Sequence, residues 1–528
     1  MTAASLAFAL NRLHGLPALS ERLGTPLAEE DIAAILEEAA RFAEERIAPG
    51  RGQADREGCV LENGRVRTPA HYGPLLKEWR EAGWQGLAAP AEHGGQNLPH
   101  ALWAAVFELA SSADMAFALM PMLSAGAIEL LAHHASPEQA ARFLPPLVSA
   151  AWNGTMCLTE PQAGSDLSAI RSRAVPDRAG GFRLSGQKIF ITWGENDIAE
   201  NTLHLVLARL PDAPPGSRGI SLFACPKILP DGRRNALRCG GIEHKPGIHA
   251  SPTCTMLFEE AEGELIGEPH RGLAAMFSMM NAARLAVGVE GVGQCARATQ
   301  LAEAYAAGRA QGGRPIAEYP DVARMLSEMR SITLAARLLA LDCAVALDRA
   351  RLEGEGEAGS RLALLTPIVK AWCTERGVEV ASLGIQVHGG AGYVEETGAA
   401  QIWRDARIAP IYEGTNGIQA LDLVARKLPR ELPAFLALAR EAGAAHPALR
   451  SPAEALGEAA RQLASASPEV AGGAAAPFLD AAGWILGGAW LARAAQADPA
   501  LAGKADFFLR RLLPRASARL AEALATEG

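Results

Sequence analysis

A carboxylate can remove a carbon-bound proton only where its basicity is raised above that of a solvated acid. The run Tyr412-Glu413-Gly414-Thr415-Asn416-Gly417 offers such a place, because Glu413 stands in a turn of small and apolar residues directly before a helix. Partial desolvation there would tune it towards neutral pH as a general base. By itself the position also suits a cap or a first-turn charge. The competing acids read differently: Asp405 sits between Arg404 and Arg407 as a structural ion pair, and Glu395 and Glu396 look surface-placed.

Three further clusters could hold a ligand. Met156-Cys157-Leu158-Thr159-Glu160-Pro161-Gln162-Ala163-Gly164-Ser165-Asp166 reads as a strand entering a turn, and it gathers hydroxyls and backbone N–H groups that suit a planar heterocycle. An ordinary turn broken by Pro161 and Gly164 is the alternative. Phe190-Ile191-Thr192-Trp193-Gly194 sets an aromatic plane beside a hydroxyl at a strand end. Gln386-Val387-His388-Gly389-Gly390-Ala391-Gly392-Tyr393 has glycines that permit close approach of a diphosphate or ring to the backbone. His388 lacks a second ligand at metal-binding spacing and reads as a packed or capping histidine, so no metal site is expected. Gly291-Val292-Gly293 lies in a helical run with no strand before it, which makes it a helix contact and not a dinucleotide turn.

The elements that must position these clusters follow from periodicity. Ile32, Ile35, Leu36, Ala39, Phe42 and Ile47 recur at helical spacing, and His71–Gly83, Pro99–Ala113, Pro121–His134 and Pro137–Ser149 read as further helices, giving a helical domain over residues 1–150. A β domain over 151–270 is expected from Phe182–Thr192, pairing with Leu203–Leu210 and Gly219–Ala224, with another strand at Cys254–Phe258. Long helices at Leu273–Ala307, Val322–Ala350, Leu362–Leu383 and Asn416–Lys427 predict a bundle over 271–430. Residues 431–528, broken at Pro447, Pro452, Pro468 and Pro499, read as an appended helical domain. The fold class is therefore α+β, mostly α.

Composition narrows the function. A chain of 528 residues with 49% hydrophobic content has core enough for a cofactor, and a net charge of −9 disfavours nucleic acid as the default partner. The eight cysteines form no C-x-x-C pair, which points away from zinc or a disulfide framework and towards a reducing cytoplasm. No signal peptide is recognised at the start. The longest apolar run, Met115–Ala132, contains Pro121 and Glu129 and reads as a buried helix, so no membrane span is expected.

Taken together and in order, Thr159-Glu160-Pro161-Gln162-Ala163-Gly164-Ser165-Asp166, Ile191-Thr192-Trp193-Gly194, Arg309-Ala310-Gln311-Gly312-Gly313, Gln386 to Tyr393 and Arg404 to Thr415 resemble the acyl-CoA dehydrogenase family over about residues 30–430. The sequence also looks like the long branch with a C-terminal helical extension, which includes 3-methylmercaptopropionyl-CoA dehydrogenases. Glu243 to Gly247 and Met279 to Arg284 point the same way. The resemblance implies FAD-dependent α,β-dehydrogenation of an acyl-CoA thioester, with FAD between the β domain and the bundle. Glu413 would take the α proton as the β hydrogen leaves as hydride. Met156, Leu158, Thr159, Ser165, Phe190 and Thr192 would line the flavin. Arg309, Gln311, Gln386, Gly389 and Gly390 would reach the FAD of a neighbouring subunit, with Thr415 and Gly417 closing the cradle. Ser165, Asn281, Arg284, Gly414 and Arg426 would contact the acyl-CoA.

An electron-transfer flavoprotein and assembly as a homodimer or homotetramer are also implied. Leu210, Asn281 and Gly417 depart from the residues common in shorter members. Glu290 is the reserve base, since some members place theirs on that helix. The rivals are an acyl-CoA oxidase, in which oxygen takes the electrons, and the DNA-associated branch, suggested by the basic run Lys504, Arg510, Arg511, Arg515 and Arg519.

Overall fold

The computed structural model describes residues 3–178, 180–354 and 356–525. Met1, Thr2 and Thr526 to Gly528, at the ends of the expected first domain and appended segment, lie outside the described residues. The architecture is α+β with helix dominant, as expected. It forms two compact units, one built from residues up to Glu45, Pro99–Ala113 and Arg284 onwards, the other from Arg46–Leu98 and Asp114–Ala283.

The second of these units carries the sheet. A small hairpin of β1 (Val60–Glu62) and β2 (Arg65–Arg67) precedes seven strands: β3 (Trp152–Cys157), β4 (Arg173–Pro176), β5 (Phe182–Thr192), β6 (Asn201–Arg209), β7 (Ile220–Pro226), β8 (Leu237–Ile242) and β9 (Thr253–Ile266). Strands β6, β4, β5, β9 and β7 pair in that order and β7 pairs back to β6, so the sheet closes on itself. Closure removes the unpaired edges that an open sheet would have to protect. β3 lies parallel to β6, and β8 lies antiparallel to β9. The barrel core is filled by Leu184, Ile191, Val206, Phe223, Met256 and Phe258.

The expected pairing of Phe182–Thr192 with Leu203–Leu210 does not occur. β5 pairs with β4 and β9 instead. Nearness in sequence favours a hairpin, but β9 runs for 14 residues and can satisfy the 11-residue β5 along its length, whereas the nine-residue β6 pairs with β7. Short β4 and β8 gave too little alternation to be read. The helix expected from Pro121 starts earlier, at Met115, because Asp114 caps it by accepting from the N–H groups of Ala116 and Phe117.

By length and composition alone that helix, Met115–His134, is apolar enough to cross a bilayer, as are Gly272–Gly308 and Pro468–Ala497, although Met115–Ala132 reads from sequence as a buried helix. The protein itself buries 83% of the most apolar window of Met115–His134.

The other unit is all but wholly helical. Helices Pro320–Glu353 and Glu357–His388 pack together with the later part of Gly272–Gly308. Their close approach depends on glycine: a Cβ on Gly291 would lie 2.5 Å from the Cys373 carbonyl oxygen, and one on Gly293 would lie 2.4 Å from Ser111 Oγ. Gly291-Val292-Gly293 is therefore a helix contact, as its position in a helical run predicts. Helices Leu428–Ala445, Arg450–Ala464, Pro468–Ala497 and Pro514–Leu524 complete the same unit.

Candidate active site

Helix Ala399–Ala406 ends in a run of turns that delivers Glu413 to the start of Asn416–Leu421, whose N-cap is the Thr415 hydroxyl, accepting from the Ile418 N–H. Glu413 has φ +55° and Gly414 φ +83°. Left-handed backbone is costly for a side-chain-bearing residue and persists where its surroundings over-determine it. Here they do. Lys370 Nζ donates to the Gly414 carbonyl at 2.8 Å and to Asn416 Oδ1 at 3.0 Å, and Gln419 Nε2 donates to the Glu413 carbonyl at 3.3 Å. A Cβ on Gly414 would meet Gln419 Nε2 at 2.8 Å, so this glycine is required by both conformation and space.

Burial pushes the Glu413 carboxyl up from 4.5 to about 7, against the opposing pull of Arg284 and Lys370. Desolvation likewise lowers Lys370 to about 7, although Glu413 favours its charge. Behind the turn, the Tyr412 hydroxyl donates to Glu290 Oε2. Burial lifts Glu290 to about 8, with Tyr412 opposing and Glu413 reinforcing the shift. The half-buried Glu413 is thus a carboxylate of near-neutral basicity beside two cations. Its backbone N–H makes no hydrogen bond among the described residues.

Cations gather nearby around Asp422, which lies 4.0 Å from Arg284, 3.0 Å from Arg426 and 3.4 Å from Lys427. Arg284 is buried while Arg426 is 64% exposed, so the second can reach a solvent-borne phosphate and the first cannot. Asn281 lies three residues before Arg284 on the same helix.

In the barrel unit, Met156 is the last residue but one of β3, and Phe190 and Thr192 lie in the last three residues of β5. The loop between Leu158 and Ser165 is held against β5 by the Ile189 N–H donating to the Thr159 carbonyl at 2.9 Å. Lys188 Nζ donates to the Leu158 carbonyl at 3.0 Å and pairs with Glu160 at 2.8 Å, while Glu160 accepts from the N–H groups of Arg171 and Ser172. The structure therefore brings Leu158, Thr159, Phe190 and Thr192 to one rim. Phe190 is 58% exposed at φ +59°, an aromatic face left open. Ser165 is exposed on the loop, and Leu210 packs against the barrel core.

Arg309, Gln311, Gln386, Gly389 and Gly390 are all exposed and form a second patch. Tyr305 stacks on His388 with ring centroids 4.4 Å apart, which joins the ends of the two helices that carry these residues. His388 Nδ1 bonds the Gly384 carbonyl at 2.7 Å, the packing role expected for it. Asn416, between Thr415 and Gly417, bonds Ala371, Thr374 and Glu375 on helix Glu357–His388. Gln386 is therefore about 17 Å further along that helix at 1.5 Å per residue, so Thr415 and Gly417 stand apart from the second patch.

Among the competing acids, Glu395 is exposed and pairs with Arg404 at 2.6 Å, and Asp405 is buried. Sequence reasoning missed Lys370, Gln419, Asp422 and the Tyr412–Glu290 bond. The one available signal was a lysine alone in the apolar run Pro367-Ile368-Val369-Lys370-Ala371-Trp372. The C-terminal basic run is largely neutralised: Arg510 pairs with Asp506, Arg515 with Glu328 and Glu379, and Arg519 with Asp480 and Glu522.

Comparison with known proteins identifies the family and the fold. The family models for the N-terminal, middle and C-terminal domains of acyl-CoA dehydrogenase match residues 29–151, 155–261 and 270–428. A 3-methylmercaptopropionyl-CoA dehydrogenase of Ruegeria pomeroyi is 51% identical over 419 residues, covering 76% of this chain and 71% of that protein. Two solved structures share the fold across nearly the whole chain, C-terminal extension included. ACDH-11 of Caenorhabditis elegans in complex with C11-CoA has TM-score 0.82 and 24% identity, covering 94% of this chain and 89% of its own. An acyl-CoA dehydrogenase of Bacillus anthracis complexed with FAD has TM-score 0.77 and 22% identity, covering 95% and 89%. The chain belongs to the acyl-CoA dehydrogenase family and is an oxidoreductase.

Proposed function

We propose that the protein is an FAD-dependent dehydrogenase that converts an acyl-CoA thioester to its trans-2-enoyl-CoA, with Glu413 as the base. The observation that carries this reading is the Glu413 carboxylate, raised to about 7 by burial and flanked by Arg284 and Lys370. A carboxylate of that basicity is about half ionised at neutral pH and strong enough to accept a proton.

The α carbon of a thioester is too weakly acidic for such a base unless the thioester oxygen is polarised, and the uncommitted Glu413 N–H is a preorganised donor for it. Glu413 takes the α proton, the Cα–H electron pair forms the new double bond, and the β hydrogen leaves with its own pair. FAD, when bound, supplies the acceptor for that hydride.

The residues present fit this cofactor. The exposed Phe190 face and the partly buried Met156, Thr159 and Thr192 make an apolar wall with hydroxyl donors, which suits a heteroaromatic ring. At Gly389 and Gly390 no atom lies within 4 Å of a would-be Cβ, so the backbone there is open to a diphosphate. The separation of that patch from Thr415 and Gly417 supports a role in holding the cofactor of a second subunit, in a homodimer or homotetramer. Tyr393, at 86% exposure beside those glycines, supplies an apolar surface for such a neighbour. An electron-transfer flavoprotein is the proposed acceptor. All eight cysteines are free, which suits a reducing cytoplasm.

The test is anaerobic bleaching of the flavin absorbance by a panel of acyl-CoAs that includes butyryl-CoA and 3-methylmercaptopropionyl-CoA, the latter named for the 51% identical relative. Glu413→Gln is expected to keep FAD bound and to slow bleaching by several orders of magnitude. Retained bleaching places the base elsewhere. Peroxide formed at the full turnover rate replaces the dehydrogenase with an oxidase.

A further inference from the structure

The acid behind the base has no part in the reaction as described above. Glu290 lies on helix Gly272–Gly308 with none of its surface exposed. Its surroundings are dry because glycines on either side bring the neighbouring helix into contact. A Cβ on Gly288 would lie 2.6 Å from Val369 Cγ1, and one on Gly291 2.5 Å from the Cys373 carbonyl oxygen. Its Oε2 accepts from the Tyr412 hydroxyl, whereas Oε1 meets no hydrogen-bond partner among the described residues. A buried carboxylate leaving one oxygen bare would forfeit most of its solvation, so the group carries a proton instead.

The charged and titratable groups around it are few. Tyr412 and Glu413 face it from the turn and Lys370 from helix Glu357–His388. The Cys373 thiol on that helix is kept neutral by burial. On helix His100–Ala113, Glu108 is bound by Arg337.

We propose that Glu290 is a positioning residue for the reaction, a neutral acid that anchors the Tyr412 hydroxyl and sets no second negative charge behind Glu413. The proposal rests on Glu413 being the base. Tyr412 is pinned from behind by Glu290, and Gly414 from the side by Lys370. Glu413 stands between these two pins, in a conformation that side-chain-bearing residues avoid. Releasing either pin frees the turn to relax and moves the carboxylate off the line to the substrate α carbon. A proton on Glu290 removes the like-charge repulsion that two ionised carboxylates would create. That condition holds at neutral pH, since burial lifts Glu290 to about 8.

The holoenzyme is assayed with an acyl-CoA over pH 6–9.5, and its infrared spectrum is recorded in the carbonyl region of protonated carboxyl groups. At pH 7 wild type and Glu413→Gln are expected to share a carboxylic acid band that Glu290→Gln lacks. The band should fade in wild type as pH rises through about 8. Tyr412→Phe is expected to lower kcat about tenfold with KM changed less than twofold, because the tether acts on the base and not on substrate binding.

Glu290→Gln, whose amide oxygen still accepts from Tyr412, should hold kcat at pH 7 within about threefold while losing the inflection near pH 8. Glu290→Leu should fall as far as Tyr412→Phe. A band unchanged in Glu290→Gln, or a pH profile superimposable on wild type, overturns the proposal. An active Glu413→Gln would instead sink the assignment of the base, and it would leave the Glu290 band where it is.

Discussion

At neutral pH Glu413 stands near the midpoint of its titration, because burial opposes its charge while Arg284 and Lys370 favour it. Only the ionised form can take a proton, so the rate of flavin reduction should rise with pH through about 7 and fall about tenfold per pH unit well below it. A profile flat from pH 5.5 to 8 would mean that proton abstraction by this group does not limit reduction. The same shift bears on stability. Between 4.5, the ordinary glutamate value, and about 7 the folded protein holds a proton that the unfolded chain has released. Stability from this group is therefore complete below pH 4.5 and is lost as pH rises through 7. Glu413→Gln removes the buried charge and should stabilise the protein above pH 7, by on the order of 2 kcal/mol, and have no such effect at pH 4.5. Denaturant titrations at the two pH values check this. The sequence let desolvation be expected to tune Glu413 towards neutral pH, but not the cations that oppose it, because Lys370 and Arg284 lie 43 and 129 residues away.

In the proposed function two short elements carry the chemistry, the strained turn at Glu413 and the helix contact that seals it from behind. The contact depends on Gly291. A methyl group there would strike the Cys373 carbonyl and Thr374 N–H, which are backbone atoms that cannot swing aside. Gly291→Ala is thus expected to force the two helices apart at a cost of about 1 to 3 kcal/mol, despite alanine's better helix propensity. Thermal denaturation should show a lowered midpoint, and an unchanged or raised one would mean that the helices are not in contact. Both the long helices and this glycine pair were readable, because a sustained 3.6-residue period and small residues in a helical run need no partner to be recognised. Strand pairing was not. β5 joins β9, some 70 residues on, and β4 and β8 are only four and six residues long. Local alternation names a strand but not its neighbour.

The C-terminal extension is part of the same compact unit as the bundle. Trp372 of helix Glu357–His388 is fully buried, and a Cβ on Gly483 of helix Pro468–Ala497 would lie 2.2 Å from its Cγ. Trp484 meets the same ring edge-on at 5.3 Å, and Arg376 and Arg515 lie over Trp484 at 4.6 and 5.0 Å. Arg515 also spans Glu328 and Glu379 on two bundle helices, at 2.6 Å to the second. The basic run is therefore a clasp, and the charges that suggested a DNA surface are mostly spent within the unit. Exposing Trp372 alone would return about 150 to 250 Å² of apolar surface to water, or about 4 to 6 kcal/mol. Free energy of that size is a large part of a domain's net stability. A chain ending at Lys427 should therefore be insoluble or melt well below the full-length protein, and Gly483→Val should lower the melting temperature of the intact chain in a single transition. Two separate transitions, with the bundle's own midpoint unmoved by either change, would show that the extension folds beside the bundle without supporting it. The lysine that pins the catalytic turn lies two residues before Trp372 on the same helix, so loss of the extension should also reduce the rate of flavin bleaching in whatever soluble fraction remains.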